Sequence, residues 1–281
     1  MLGKTLNTHG AIDLAIKQLY SHVDDRSFDW AKTREDLESL LGQGVKCLRD
    51  NDLELVKRFY NDDRNIRVLD YGCGSGIYVI LMLLKGYSEV HGVDIYEKFD
   101  NRLLKNLGFV NASFGLVGDR LPFEDNYFDV VNSSLVLEHV KNIDLYYKES
   151  ARVLKPDGIC LFNFPHRLKP YDSHSRTWFI HYFPRSIRKL MWNFFSRQGG
   201  EFLNDFINLR TISYHKRISR KYFKKTKDIT KYRIKNFNPD KYKGNKKIRG
   251  FANYLMNIRY IGNIFVKIFS INASVDLYLK K

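Results

Sequence analysis

The chain has 281 residues, 44% of them hydrophobic and 28% charged, with 18 Gly and only 6 Pro, which excludes collagen-like, mucin-like and wholly disordered chains. Its net charge of +16 is unevenly divided: residues 1–164 carry 20 Lys and Arg against 25 Asp and Glu, residues 165–281 carry 27 against 6, so the second half favours acidic substrates, anionic lipids or nucleic acids over cationic partners. Three cysteines, Cys47, Cys73 and Cys160, are too few and too scattered for a disulfide framework or a four-ligand zinc site, so no metal is expected and a reducing compartment is implied.

Residues 10–62 read as helical. Ile12, Ala15, Ile16 and Leu19 make one stripe, Thr33 with Asp36 three positions on resembles a capping box, and Val45 to Phe59 forms a further segment. No signal-peptide segment opens the chain, and the longest apolar run, Tyr78 to Leu84, is far short of the roughly 18–20 residues a membrane span needs. After the polar break at 61–65 the pattern becomes strand, helix, strand: 66–71, 78–85 and 89–94, then a helix at 98–107, strands near 109–116 and 128–133, a helix at 144–154 and a strand at 159–164. This alternation predicts an α/β fold, a doubly wound and mostly parallel sheet covered on both faces. Beyond Phe164 the pattern loosens. Pro165, Pro170 and Pro184 interrupt a segment rich in His that reads as an inserted lid; Ile248 to Phe269 predicts a long amphipathic helix, and Ser274 to Leu279 a closing strand. The organisation expected is a helical preface at 1–63, a ligand-binding core at 64–165, a substrate lid with helices at 166–224, and a C-terminal part of the sheet at 225–281.

Chemistry concentrates at the strand ends. Asp70-Tyr71-Gly72-Cys73-Gly74-Ser75-Gly76 ends the first strand with an acid and enters a helix through a glycine turn that lets backbone approach a ligand closely. The spacing is G-x-G-x-G rather than the G-x-G-x-x-G of dinucleotide folds, and a carboxylate two residues before the first glycine repels phosphate. It suits a ligand bearing an ammonium or sulfonium group. Asp94 ends the next strand, where an acid accepts both hydroxyls of a ribose, and Asp119 is placed to accept from the exocyclic amine of an adenine, with Leu121 and Phe123 packing nearby. Each acid alone also reads as a turn or capping residue; the three in this order do not.

The set VLDYGCGSG, GVDI, GDRLPFEDNYFDVV, SSLVLEHV and RVLKPDGICLFNFP resembles the class I S-adenosylmethionine-dependent methyltransferases, in the branch that includes the ubiquinone and menaquinone methyltransferases, over residues 64–165. The resemblance implies a Rossmann-like sheet of about seven strands, the last of them antiparallel. It implies that Asp70, Gly72, Cys73, Gly74, Ser75 and Gly76 hold the methionine part, Asp94 the ribose and Asp119 the adenine, that Ile95 and Arg120 also bind the cofactor, and that Ser133, Ser134 and Leu135 line its pocket. Asp129 and the 154–158 turn then read as scaffold.

Transfer of a methyl group from a sulfonium is an in-line displacement that positioning can largely drive, and an oxygen acceptor gains from a base that removes its proton. His139, just past the fourth strand, and His166, His174 and His181 in the lid are the candidates, His139 and His174 foremost, with Asp172 an orienting partner for a lid histidine. The expected activity is O-methylation of an anionic small molecule, glycan or lipid-linked glycan precursor by a cytoplasmic enzyme, with peripheral contact at the inner membrane surface open to the basic half. The lid faintly resembles those of methyltransferases of bacterial surface-glycan biosynthesis. RNA methylation is the alternative the basic half allows, against which Asn132-Ser133-Ser134-Leu135 stands where amine-modifying nucleic-acid enzymes carry N-P-P-Y or D-P-P-Y. A non-catalytic adaptor at a membrane surface or on nucleic acid is the reading of another class.

Overall fold

The computed structural model describes residues 10–45, 47, 49–172, 177–184, 186–188, 190, 207–236 and 274–281. The amphipathic run from Ile248 to Phe269 lies outside them. Helix α1 (Ala11–Leu19) buries the stripe Ile12, Ala15, Ile16 and Leu19 and runs into a 3₁₀ turn at Tyr20–His22. Helix α2 (Trp30–Gly42) starts four residues earlier than the Thr33–Asp36 spacing implies: Asp29 is the N-cap and accepts from Lys32 N at 2.9 Å, while Thr33 is buried within the first turn and its hydroxyl donates to the Asp29 carbonyl. A carboxylate takes the cap because it answers both the free N–H groups and the positive end of the helix. Helix α3 (Asp50–Phe59) completes the preface with Asp50 and Asp52 in its first turn.

Strand β1 (Arg67–Tyr71), helix α4 (Ile77–Leu84), strand β2 (Glu89–Asp94), helix α5 (Asn101–Asn106), strand β3 (Ala112–Leu116), strand β4 (Phe128–Ser134), helix α6 (Ile143–Val153) and strand β5 (Leu154–Pro165) follow. Tyr78 to Leu84 are all buried, which is why this stretch is apolar on every side. Parallel pairing of β2 on both β1 and β3, and of β1 on β4, sets Asp70 opposite Gly92 and Asn132, and Asp94 opposite Leu116. The 154–158 stretch, read from the sequence as a turn, is the first part of β5; Asp157 takes a φ of 65° and bends the strand without ending it.

The remaining elements are two-residue strands β6 (Tyr171–Asp172) and β7 (Thr177–Trp178), paired antiparallel, helix α7 (Ile212–Ser219), strand β8 (Lys225–Asp228), helix α8 (Thr230–Asn236) and strand β9 (Ser274–Lys280). The sheet has seven strands in the order β3-β2-β1-β4-β5-β9-β8, and β9 runs antiparallel to β8. The expected closing strand is therefore present, and β8, a Lys-Thr-Lys-Asp tetrapeptide, is an edge strand the sequence pattern does not announce. By contact density the chain divides into one unit of residues 1–133, 149–161 and 281 and another of 134–148 and 162–280. Among the described residues no helix is long and apolar enough to cross a membrane, and no group of His, Cys, Asp and Glu has the proximity of a metal site. The three cysteines are free and buried.

Candidate functional site

In the first unit, the chain leaving β1 turns through Gly72, Gly74 and Gly76 with φ of 87°, 55° and 76°, a left-handed region that glycine enters without steric cost. A Cβ on Gly74 would meet nothing within 4 Å, whereas one on Gly76 would lie 2.2 Å from the Phe114 ring. The turn is therefore open on one side and pressed against β3 on the other. The N–H groups of Gly72 and Cys73 donate to the Val93 carbonyl at 2.8 and 3.0 Å, and Gly74 N donates to Asp94 Oδ2 at 2.8 Å. Asp94 Oδ1 accepts from Tyr96 N at 3.2 Å. A carboxylate offers about four lone-pair sites, so the half-buried Asp94 keeps capacity for a vicinal diol. Beside it Ile95, Tyr96 and Leu116 are 63%, 56% and 56% exposed, an apolar surface at the carboxyl ends of β2 and β3, where open α/β sheets bind ligands.

Asp70 is paired within the chain. It is fully buried, and Oδ1 accepts from Arg49 Nη2 at 3.0 Å and from Asn132 Nδ2 at 3.3 Å. Burial, the largest influence, raises its pKa, while Arg49 and Asn132 act the other way. Its main partner is thus a guanidinium of the chain itself, which also binds Asp52 at 2.6 Å and lies over the Tyr78 ring. Asp70 Oδ2 is buried with no hydrogen-bond partner among the described residues, so one acceptor remains for a cationic ligand.

Cys73 is buried with its thiol toward Gly92, and burial raises the thiol pKa; it serves the turn through its backbone. Ser75 contributes its carbonyl, which accepts from the Tyr20 hydroxyl. Ser133 is fully buried. Asp119 and Arg120 are exposed, on a loop held by Glu149 and Arg152. Glu149 accepts from Leu121 N at 2.9 Å, and Arg152 donates to the carbonyls of Leu121 and Phe123 and to Asp125. These groups fit an adenosyl sulfonium: a diol acceptor, an apolar shelf, a glycine turn open to a ligand, and one buried orphan carboxylate oxygen.

In the second unit Ser134 is half-buried and Leu135 is 52% exposed at a φ of 58°. The turn beyond them carries His139, partly exposed, and Glu138, which the sequence reading passes over. Glu138 is 4% exposed, its Oε2 has no hydrogen-bond partner among the described residues, and burial pushes its pKa up from 4.5 to about 7 against the weaker pull of its own backbone and Lys169. At β6, Asp172 Oδ1 lies 3.0 Å from His181 Nε2, both side chains buried; His174 lies outside the described residues. His166 accepts from Leu168 N through Nδ1, and His215 is buried against Tyr147.

Residues 69–162 match the methyltransferase domain family of type 11. The chain is 35% identical over 107 residues to a ubiquinone biosynthesis O-methyltransferase of Neisseria meningitidis, 36% of this chain and 45% of that one. It is 32% identical over 142 residues to a sterol 4-C-methyltransferase of Caenorhabditis elegans, 49% of this chain and 39% of that one. It thus spans less than half the length of these two relatives. A proposed sarcosine dimethylglycine methyltransferase from Galdieria sulphuraria superposes with a TM-score of 0.50 at 14% identity, over 85% of this chain and 86% of that one, a likeness of fold. The sheet order, the glycine turn closed on Asp94 and the matched stretch 69–162 make this part of the chain similar to the class I S-adenosylmethionine-dependent methyltransferases of the type 11 branch.

Proposed function

We propose that the protein methylates an oxygen of an anionic small molecule, glycan or lipid-linked glycan precursor. The observation that carries the reading is the Gly74 N to Asp94 Oδ2 bond of 2.8 Å, which fixes an acid with spare acceptor capacity over a turn whose glycine faces open space. S-adenosylmethionine, when bound, supplies an electrophilic methyl group. Asp94 accepts the ribose hydroxyls, Asp70 Oδ2 the ammonium, and Ile95 with Tyr96 packs the adenine, whose amine Asp119 accepts. An oxygen acceptor is favoured by the name of the Neisseria relative, though the sterol enzyme marks how far acceptors range across such relatives. Glu138, with a pKa near 7, holds the acceptor's proton at Oε2, a base near neutrality being the most effective kind. His139 on the same turn, or a lid histidine oriented by Asp172, is the competing base.

Two measurements test this. S-adenosylhomocysteine should raise the melting temperature by mass action, and Asp94→Ala should nearly abolish the shift; an undiminished shift removes Asp94 from the ribose role. Release of S-adenosylhomocysteine should then be screened against nucleotide sugars, lipid-linked glycans, phenolics and tRNA, and turnover on tRNA alone overturns the small-molecule reading.

A further inference from the structure

A cavity of about 190 Å³ in the second unit is lined by Arg167, Arg188, Ile207, Asn208, Leu209 and Arg210. That is below the roughly 300–1,000 Å³ of a complete drug-sized ligand site, so it has room for a headgroup. Among the described residues, three of the six that line it are arginines and none is a carboxylate. All three guanidinium side chains are half-buried, where charge repulsion is screened less than at a free surface.

Arg167 and Arg210 are held in place by backbone carbonyls. Arg167 Nη1 donates to the His181 carbonyl at 2.6 Å; Arg210 Nη1 donates to the carbonyls of Val140 and Asn208 at 3.0 and 3.3 Å, and Nη2 to that of Lys141 at 3.1 Å. Carbonyls orient a guanidinium without neutralising it, and among the described residues neither Arg167 nor Arg210 has an ion-pair partner. Burial lowers the Arg210 pKa against the smaller opposing influence of Tyr214, consistent with a charge that lacks a counter-ion. Within the strap of residues 207–210, Ile207 packs with Ile180 and Leu209, a small apolar cluster beside the arginines.

We propose that this pocket is a binding site for a phosphoryl group. A single carboxylate would match only one of the two charges of Arg167 and Arg210, whereas a phosphoryl group brings up to two negative charges and three oxygens, and forked guanidinium donors match its geometry. The strap that lines the pocket is bonded to the turn carrying the candidate base, Asn208 N to the Glu138 carbonyl at 2.6 Å, so an anchored ligand lies on the element that holds Glu138. That the phosphoryl group belongs to the methyl acceptor rests on the proposed function; that the pocket binds it does not.

The test is titration calorimetry of the intact chain with inorganic pyrophosphate and with acetate at constant ionic strength, S-adenosylhomocysteine binding being measured alongside. Pyrophosphate should bind saturably and more tightly than acetate. Arg167→Gln and Arg210→Gln should each weaken it about tenfold, the loss expected for a charge-assisted hydrogen bond, while Arg167→Lys loses less and S-adenosylhomocysteine binding is unchanged. Sedimentation with phosphatidylcholine vesicles containing phosphatidic acid identifies the source. Vesicle binding that falls with the same two variants marks a lipid headgroup, and its absence beside pyrophosphate binding marks a soluble phosphate ester. No pyrophosphate binding, binding indifferent to both arginines, or acetate binding equally well would overturn the proposal. Pyrophosphate binding without S-adenosylhomocysteine binding would instead sink the methyltransferase reading and leave the pocket standing.

Discussion

A carboxyl group that keeps its proton to about pH 7 inside a folded chain leaves two separable traces. The first is on the rate: if Glu138 removes the acceptor's proton, Glu138→Gln should lower kcat by about 10² to 10⁴, and the wild-type rate should rise through a limb centred near pH 7. The second is on stability. Unfolded, Glu138 loses its proton near 4.5 and folded near 7, so the unfolded state binds fewer protons across that interval and stability falls as pH rises through it. Glu138→Gln should therefore be more stable than wild type at pH 8, by at most about 3 kcal/mol, with the gain gone below pH 4. Denaturant titrations at the two pH values check this, and a variant that loses activity but gains no stability contradicts the buried, proton-retaining carboxyl. Glu138 escapes a sequence reading because histidine is the residue type that draws notice as a base. Only burial, which no local pattern encodes, marks the glutamate as a candidate.

At the scale of elements, the glycine turn is a joint between β1, β2 and β3. Gly76 combines a φ of 76° with Phe114 at 2.2 Å from any added Cβ, so Gly76→Ala should combine backbone strain with the displacement of a packed ring. About 2–4 kcal/mol of stability should be lost, strain of this kind costing about 1–3 kcal/mol and overpacking a similar amount. Gly74→Ala, with open space above it, should lose about 1 kcal/mol from its φ alone, but weaken S-adenosylhomocysteine more than Gly76→Ala does relative to its effect on stability. Thermal melts with and without the ligand separate the two. The turn was legible because glycine spacing and strand-end acids are local signals. Strands β1 to β5 and β9 were legible for the same reason, their apolar runs matching the burial of the sheet. Strand β8 was not, since a polar edge strand such as Lys225–Asp228 is defined by its partner β9. Arg49 and Tyr20 were hidden as well: their contacts to Asp70 and Ser75 cross 21 and 55 residues of chain, and nothing near either residue marks the far end.

Across the whole molecule the charge division remains the largest unexplained quantity, 27 basic against 6 acidic residues after position 164. Charge of this density binds polyanions without selectivity, so RNA association at 50 mM salt should weaken at least about tenfold by 200 mM while RNA supports no S-adenosylhomocysteine release. RNA-dependent release would transfer the assignment to the nucleic-acid reading. The pairing of Arg49 with Asp70 bears on how such a protein can be rebuilt. The counter-ion for the core's innermost acid is supplied by the N-cap of α3, ahead of the stretch 69–162 that relatives share. Chimaeras that exchange only the shared stretch would strand a carboxylate in a dry interior, a lesion of about 3–5 kcal/mol, so the smallest transplantable module begins upstream of Arg49.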